Sequence, residues 1–316
     1  RPCHLGNIHT APQDGGRILS TPPWYAYLRI AEGCDNRCAY CVIPSLRGKF
    51  RSRTKESILE EARLLAASGV KELIIVAQDI TRYGIDLYGK VCLTELLKEL
   101  CKLDFRWVRL HYLYPELIDD ELIDEIASED KIVKYLDIPI QHINDTILRR
   151  MNRRGTGEEI RALFKKLRER IPGLVLRTSL ITGLPGEGEA EFEELCDFLR
   201  EAKIERAGVF PYSPEEGTPA ALMPDRCSTE EAQRRAELCM EIQAEIMDGF
   251  AETFIGRELD VLVMGREPDG TPWGRSEYDS PDIDSRVIFS GDAAPGDMVR
   301  VRIDSVDDGE LIGEQI

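Results

Sequence analysis

Residues 25–41 read YAYLRIAEGCDNRCAYC, an apolar run followed by a glycine and three closely spaced cysteines, Cys34, Cys38 and Cys41. The run Tyr25–Ala31 is the first of a series that continues at Glu72–Ala77, Trp107–Leu110, Tyr135–Ile138, Leu174–Ile181 and Ala207–Phe210. Amphipathic helix patterns fill the intervals at Lys55–Ala67, Leu93–Leu103, Asp119–Ala127, Gly157–Arg170 and Glu189–Ala202. Short apolar runs alternating with helices predict an α/β chain with a parallel sheet, here a partial (β/α)6 TIM-like barrel. In barrels of this kind reactive groups sit on loops leaving the C-terminal ends of strands. The cysteine triplet directly follows the first strand, at that position.

Outward from this core the texture changes twice. Residues 1–22 are rich in Gly and Pro without periodicity and read as a lead-in or linker. A long charged helix runs from Thr229 to about Phe250. Beyond Gly256, apolar and polar residues alternate in Glu258–Met264 and Met298–Ile303, and Gly, Pro and Asp punctuate the gaps, as in a small antiparallel β-barrel. The expected division is therefore a lead-in over 1–22, the (β/α)6 domain over 23–253 and the small β domain over 254–316.

The 316 residues carry 58 acids against 41 bases, a net charge of −17, and are 42% apolar. That apolar content excludes a disordered chain. No apolar stretch approaches the ~18 residues of a membrane span, and nothing near the start resembles a signal peptide. The acidic balance disfavours a nucleic-acid binder, which needs a basic surface. From Gly256 onward the imbalance sharpens to 15 acids against six bases, a net −9. The chain opens with Arg1, as a fragment or a processed product would.

An odd count of nine cysteines without a signal peptide points to a reducing cytoplasm rather than a disulfide scaffold. Cys92, Cys101, Cys196 and Cys239 fall in helix-like stretches and read as core packing. The Cys-x3-Cys-x2-Cys cluster needs a chemical role. Zinc would want a fourth ligand, and none lies nearby. A four-iron cluster held by three thiolates keeps one iron open for a small chelating ligand. Tyr40, between the second and third cysteines, places a ring beside that open corner.

With these residues in view, the chain resembles the radical S-adenosylmethionine enzymes, whose hallmark is this spacing with an aromatic residue before the last cysteine. The resemblance implies a [4Fe–4S] cluster on Cys34, Cys38 and Cys41, with S-adenosylmethionine chelated at the open iron and cleaved to a 5′-deoxyadenosyl radical. Within that group the chain is similar to the RimO-type methylthiotransferases, which modify an aspartate of small-subunit ribosomal protein S-twelve. The segments that carry this likeness are Ile43–Gly48, Ala77–Gly84, Leu110–Pro115, Pro139–His142, Arg177–Ser179 and Gly183–Glu187. The C-terminal module is similar to the TRAM domain that ends these enzymes.

The likeness implies further cofactor contacts. Gln78 would hold the methionine amino group, Arg177 the methionine carboxylate, and Gly183 and Gly186 would pack near the adenine; on the residues alone Gln78 could equally cap a helix, Arg177 form a buried ion pair, and the glycines mark a turn. It also implies a second [4Fe–4S] cluster in an N-terminal domain, expected only in the full-length parent, so that this chain alone is competent for cofactor cleavage only. A flavodoxin or ferredoxin is the implied electron donor. The basic run Arg47, Lys49, Arg51 and Arg53 reads either as a solvated loop or as an edge of the barrel mouth. Two other readings stay open on the residues: a MiaB-type tRNA adenosine methylthiotransferase, and a non-catalytic iron–sulfur or zinc protein. The acidic tail favours a basic ribosomal protein over a tRNA backbone as partner.

Overall fold

A computed structural model describes residues 17–316. Six parallel strands, Tyr25–Arg29, Glu72–Val76, Trp107–Leu110, Ile132–Asp137, Val175–Thr182 and Arg206–Pro211, lie side by side in sequence order in an open sheet. Helices cross between them and cover one face. Leu28, Leu73, Ile75, Val108, Leu110, Leu136 and Leu176 point outward and pack with Ile58, Leu96, Ile123, Phe164 and Phe198 of the covering helices. Because side chains alternate along a strand, the residues between them line the concave interior.

The helices at Lys55–Ala67, Gly157–Arg170 and Glu189–Ala202 have the expected limits. Local signals explain this: Thr54 accepts from the Ser57 N–H, and Thr156 with Glu159 forms a full capping box. The helix expected over Leu93–Leu103 stops at Leu100. The fourth strand starts at Ile132, earlier than the expected Tyr135, because Lys134 interrupts the apolar run. A short helix at Asp145–Arg150, which holds only two apolar residues, is an addition. Cys92, Cys101, Cys196 and Cys239 are all buried in the core. Most of the lead-in expected over 1–22, and Cys3 with it, lies outside the described residues. Among the described residues no helix is long and apolar enough to cross a membrane.

The helix Thr229–Glu252 packs on the last strand and delivers Phe250 to the small domain, and the turn after it delivers Phe254. There, strands Glu258–Arg266, Pro272–Ser276, Val287–Ser290, Met298–Asp307 and Glu310–Gln315 form a closed barrel. Its ladders are antiparallel except that between Val287–Ser290 and Glu310–Gln315, which is parallel.

The loop 277–286 of this barrel closes the concave interior at the N-terminal ends of the six strands. Glu72, fully buried, takes Arg109 Nε at 2.6 Å on one oxygen and Arg275 of the small barrel on the other. Arg206 reaches Asp279 at 2.7 Å, the Tyr135 hydroxyl donates to Asp284 at 2.6 Å, and His111 Nε2 lies 3.0 Å from Ser280 Oγ. Burial, aided by the Arg109 and Arg177 charges, pushes His111 down to about 3, so its ring is neutral at physiological pH. For Glu72 burial works the other way, yet the two guanidinium groups prevail and hold its carboxyl below the usual range.

Replacing Glu72 by Gln leaves two buried guanidinium groups without their shared anion. Such a loss costs about 3–5 kcal/mol, and urea unfolding should register it. Because the folded carboxyl is held low, its contribution is full above the ordinary glutamate range and fades as pH falls through the depressed value. Wild-type and Glu72→Gln stabilities should therefore converge in acid; parallel curves would contradict the account.

Candidate active site

The opposite end of the sheet carries the cysteines. A two-residue ladder, Ala31–Glu32 against Arg51–Ser52, cinches the base of the loop between them. Gly33 opens the loop at φ +80°, and a Cβ there would lie 2.1 Å from the Lys49 carbonyl oxygen, so only glycine fits. The Cys34 N–H donates to the Gly48 carbonyl at 3.2 Å, and the Cys41 N–H to that of Cys38 at 3.0 Å. Asn36 donates to the buried carboxylate of Asp79 at 2.9 Å, tying the loop to the end of the second strand. Ala39 is held on both sides, donating to Met151 and accepting from Ala220.

Cys34, Cys38 and Cys41 line one pocket of about 430 Å³, within the usual size of a small-molecule site. Its other walls come from the C-terminal ends of neighbouring strands: Ala77 and Gln78, Tyr112 to Tyr114, Pro139 and Gln141, and Ser179. Burial pushes the Cys34 thiol up to about 11 and raises Cys41 as well. These thiols become ligands when a metal displaces their protons. Among the described residues no three His, Cys, Asp or Glu side chains converge as a single ion needs. Three thiols lining one pocket suit a cluster, which binds each through a separate iron.

Gln78 supplies a further test of fit. Its Oε1 is buried at this pocket and has no hydrogen-bond partner. A buried amide oxygen without a donor is costly, and an ammonium group entering the pocket would satisfy it. Tyr40 lines the same pocket. The donor set thus fits a three-thiolate cluster with an amino-acid-like ligand beside it.

The other expected contacts lie elsewhere. Arg177 is one inward-facing position deeper than Ser179, pairs with the buried carboxylate of Asp137 at 2.8 Å, and is outside the pocket lining. Gly183 approaches Ala232 of the long helix, and Gly186 faces Arg150; neither lines the pocket. Of the basic run, Arg53 is buried against Glu61 at 2.6 Å and Arg47 pairs with Glu32 at 2.9 Å. These two serve the loop itself. His142 accepts the Asn144 N–H at Nδ1 and turns Nε2 toward Glu187, 3.2 Å away, in a core contact.

Asn36, Tyr112, Tyr114, Gln141 and Arg153 line the pocket without having been given a role from sequence, although Tyr112, Tyr114 and Gln141 lie in segments that carry the family likeness. Tyr112 at φ 63° and Gln141 at φ 72° hold left-handed backbone, as does Arg37 at φ 52° in the cysteine loop. For a bulky residue such as Tyr112 this conformation is strained, and strain of this kind gathers at functional sites. Position just beyond a strand end was the available signal for Tyr112 and Gln141. Nothing local marked Arg153.

Comparison with known proteins agrees with this geometry. The radical SAM superfamily model matches residues 28–199, and the TRAM domain model matches residues 255–316. The ribosomal protein uS12 methylthiotransferase RimO of Caldanaerobacter subterraneus is 50% identical over 301 residues, covering 94% of this chain and 69% of that protein. Its namesake in Pelotomaculum thermopropionicum is 52% identical over 305 residues, covering 95% and 69%. Among solved structures, coproporphyrinogen III oxidase (HemN) from Escherichia coli aligns with a TM-score of 0.54 at 20% identity, over 72% of this chain and 54% of that one. The radical S-adenosylmethionine methyltransferase TsrM from Kitasatospora setae gives 0.53 at 20% identity, over 63% and 38%. At that identity the two structures show a shared fold. The sequence relatives show more: the chain belongs to the radical S-adenosylmethionine superfamily and, within it, to the RimO family of methylthiotransferases.

Proposed function

We propose that this chain is the radical-generating part of an enzyme that adds a methylthio group to the β-carbon of an aspartate in ribosomal protein uS12. The observation that carries this reading is the three-cysteine pocket at the C-terminal end of the sheet, in a chain half identical to relatives named for that activity. Cys34, Cys38 and Cys41 would hold a [4Fe–4S] cluster, and the pocket beside them S-adenosylmethionine. Together these supply, when bound, a one-electron cleavage that yields an oxidant able to take hydrogen from an unactivated carbon.

The chain's own residues bind and orient. Gln78 Oε1 accepts from the methionine ammonium, and Tyr40 walls the open corner. Arg177, paired with Asp137 below the pocket, supports the backbone at the pocket's edge, because the same carboxylate accepts the Tyr112 N–H. Ala77, Leu113 and Pro139 give the walls an apolar lining that keeps water from the reacting carbon. No side chain is assigned as general base, because hydrogen-atom abstraction needs none.

The small barrel, at net −9, would attract a lysine- and arginine-rich ribosomal protein and repel an RNA backbone. An electron donor of the flavodoxin or ferredoxin class, and a place in the cytoplasm beside the ribosome, complete the proposal.

Two measurements test it. Gln78→Leu should weaken binding of labelled S-adenosylmethionine to the reconstituted protein about tenfold, the worth of a hydrogen bond to a charged group, with the cluster's absorption unchanged. Undiminished binding would remove Gln78 from the site. In fluorescence anisotropy the chain should bind purified uS12 with an affinity that falls as salt rises, and should not retain tRNA at low salt. Preference for tRNA would favour a MiaB-type reading instead.

A further inference from the structure

The described chain buries six arginines, and five of them have a carboxylate partner. Arg53 pairs with Glu61, Arg109 and Arg275 with Glu72, Arg206 with Asp279, and Arg235 with Glu187. Arg153 is the sixth, 8% exposed, and no carboxylate among the described residues lies within ion-pair distance of it. Its Nη2 donates to the Pro139 carbonyl at 2.6 Å, and its Nη1 points at Cys38 Sγ, 3.8 Å away. The guanidinium also lies over the Tyr114 ring, 4.1 Å from the centroid, and the Tyr114 hydroxyl is 2.9 Å from the same sulfur. Glu116 feels the Arg153 charge but remains outside pairing distance. A buried cation without an anion is expensive, and the group it faces is a cysteine of the triplet.

We propose that Arg153 is the fixed counter-ion of the iron–sulfur cluster, acting with Tyr114 through Cys38 to favour the reduced cluster and to hold it in the protein. This rests on the reading of Cys34, Cys38 and Cys41 as cluster ligands. Reduction adds one electron, drawn from an external one-electron donor, and moves no bond or proton. The added negative charge develops beside a cation in a site of low polarity, where the attraction is strong. A hydroxyl donating to the ligand sulfur acts in the same direction, since hydrogen bonds to cluster sulfurs help set potential. The cation above the Tyr114 ring draws electron density from it and makes the hydroxyl a better donor. Arg153 is thus a positioning residue that tunes the cluster through its ligand.

The test is an anaerobic redox titration followed by electron paramagnetic resonance, on the reconstituted wild type and on Arg153→Met, Arg153→Lys and Tyr114→Phe. Arg153→Met should lower the reduction equilibrium constant at least tenfold, 59 mV to the negative for one electron. Arg153→Lys should recover most of that, and Tyr114→Phe should shift the same way by less. Thermal unfolding of the metal-free proteins provides the second readout. Without the cluster Arg153 has no anion, so metal-free Arg153→Met should melt no lower than the metal-free wild type.

A loaded Arg153→Met with unchanged potential overturns the proposal. So does a metal-free Arg153→Met that melts well below wild type, because the arginine would then be serving the fold alone. Failure of Arg153→Met to load iron, with Arg153→Lys loading normally and metal-free stability kept, supports it. A wild type that takes up no four-iron cluster overturns the ligand reading, and this proposal with it.

Discussion

The structure turns on one buried carboxylate. Glu72 sits at the N-terminal end of the second strand of the sheet, fully enclosed, and joins Arg109 of the next strand to Arg275 of the small barrel. An ion pair so deep is costly to assemble and more costly to break. Here it commits the loop 277–286 to the floor of the concave sheet. Arg206 with Asp279, and Tyr135 with Asp284, extend the same junction. The sheet is open and could not fill its own interior, and the small barrel closes that end. The two modules share one buried polar floor in place of a flexible tether.

Closing one end leaves chemistry to the other. The cysteine loop, the strained backbone of Tyr112 and Gln141, and the orphaned oxygen of Gln78 all lie at the C-terminal ends of the strands. Between floor and mouth, Asp137 accepts both Arg177 at 2.8 Å and the Tyr112 N–H at 3.3 Å. Asp137 feels opposed influences: burial raises its pKa, and the Arg177 guanidinium only partly offsets that. The pair fixes the backbone of a pocket-lining tyrosine.

Much of this was legible in the residues. Alternation of apolar runs with amphipathic helices placed six strands in order, and the triplet after the first strand located the mouth of the barrel. The helix pattern Gly157–Arg170 has the limits that the structure shows. What the residues did not reveal was long-range pairing. Nothing beside Glu72 announces Arg275, two hundred residues away, and nothing beside Cys38 announces Arg153. Only two of the small barrel's strands stood out, because Pro272–Ser276 and Val287–Ser290 are short and rich in Gly, Ser and Arg or lack clear alternation. The run Arg47 to Arg53 read either as a solvated loop or as an edge of the barrel mouth, since Glu32 and Glu61, the partners of Arg47 and Arg53, lie apart in sequence.

The central claim is that three thiolates hold a cluster with one iron left open to S-adenosylmethionine. The most direct measurement is the 5′-deoxyadenosine released when the anaerobically reconstituted chain meets S-adenosylmethionine and dithionite. The Cys34→Ala, Cys38→Ala, Cys41→Ala triple variant is the control. The account predicts nucleoside from the wild type and none from the variant. A wild type that carries a full four-iron cluster and still releases no nucleoside would contradict it.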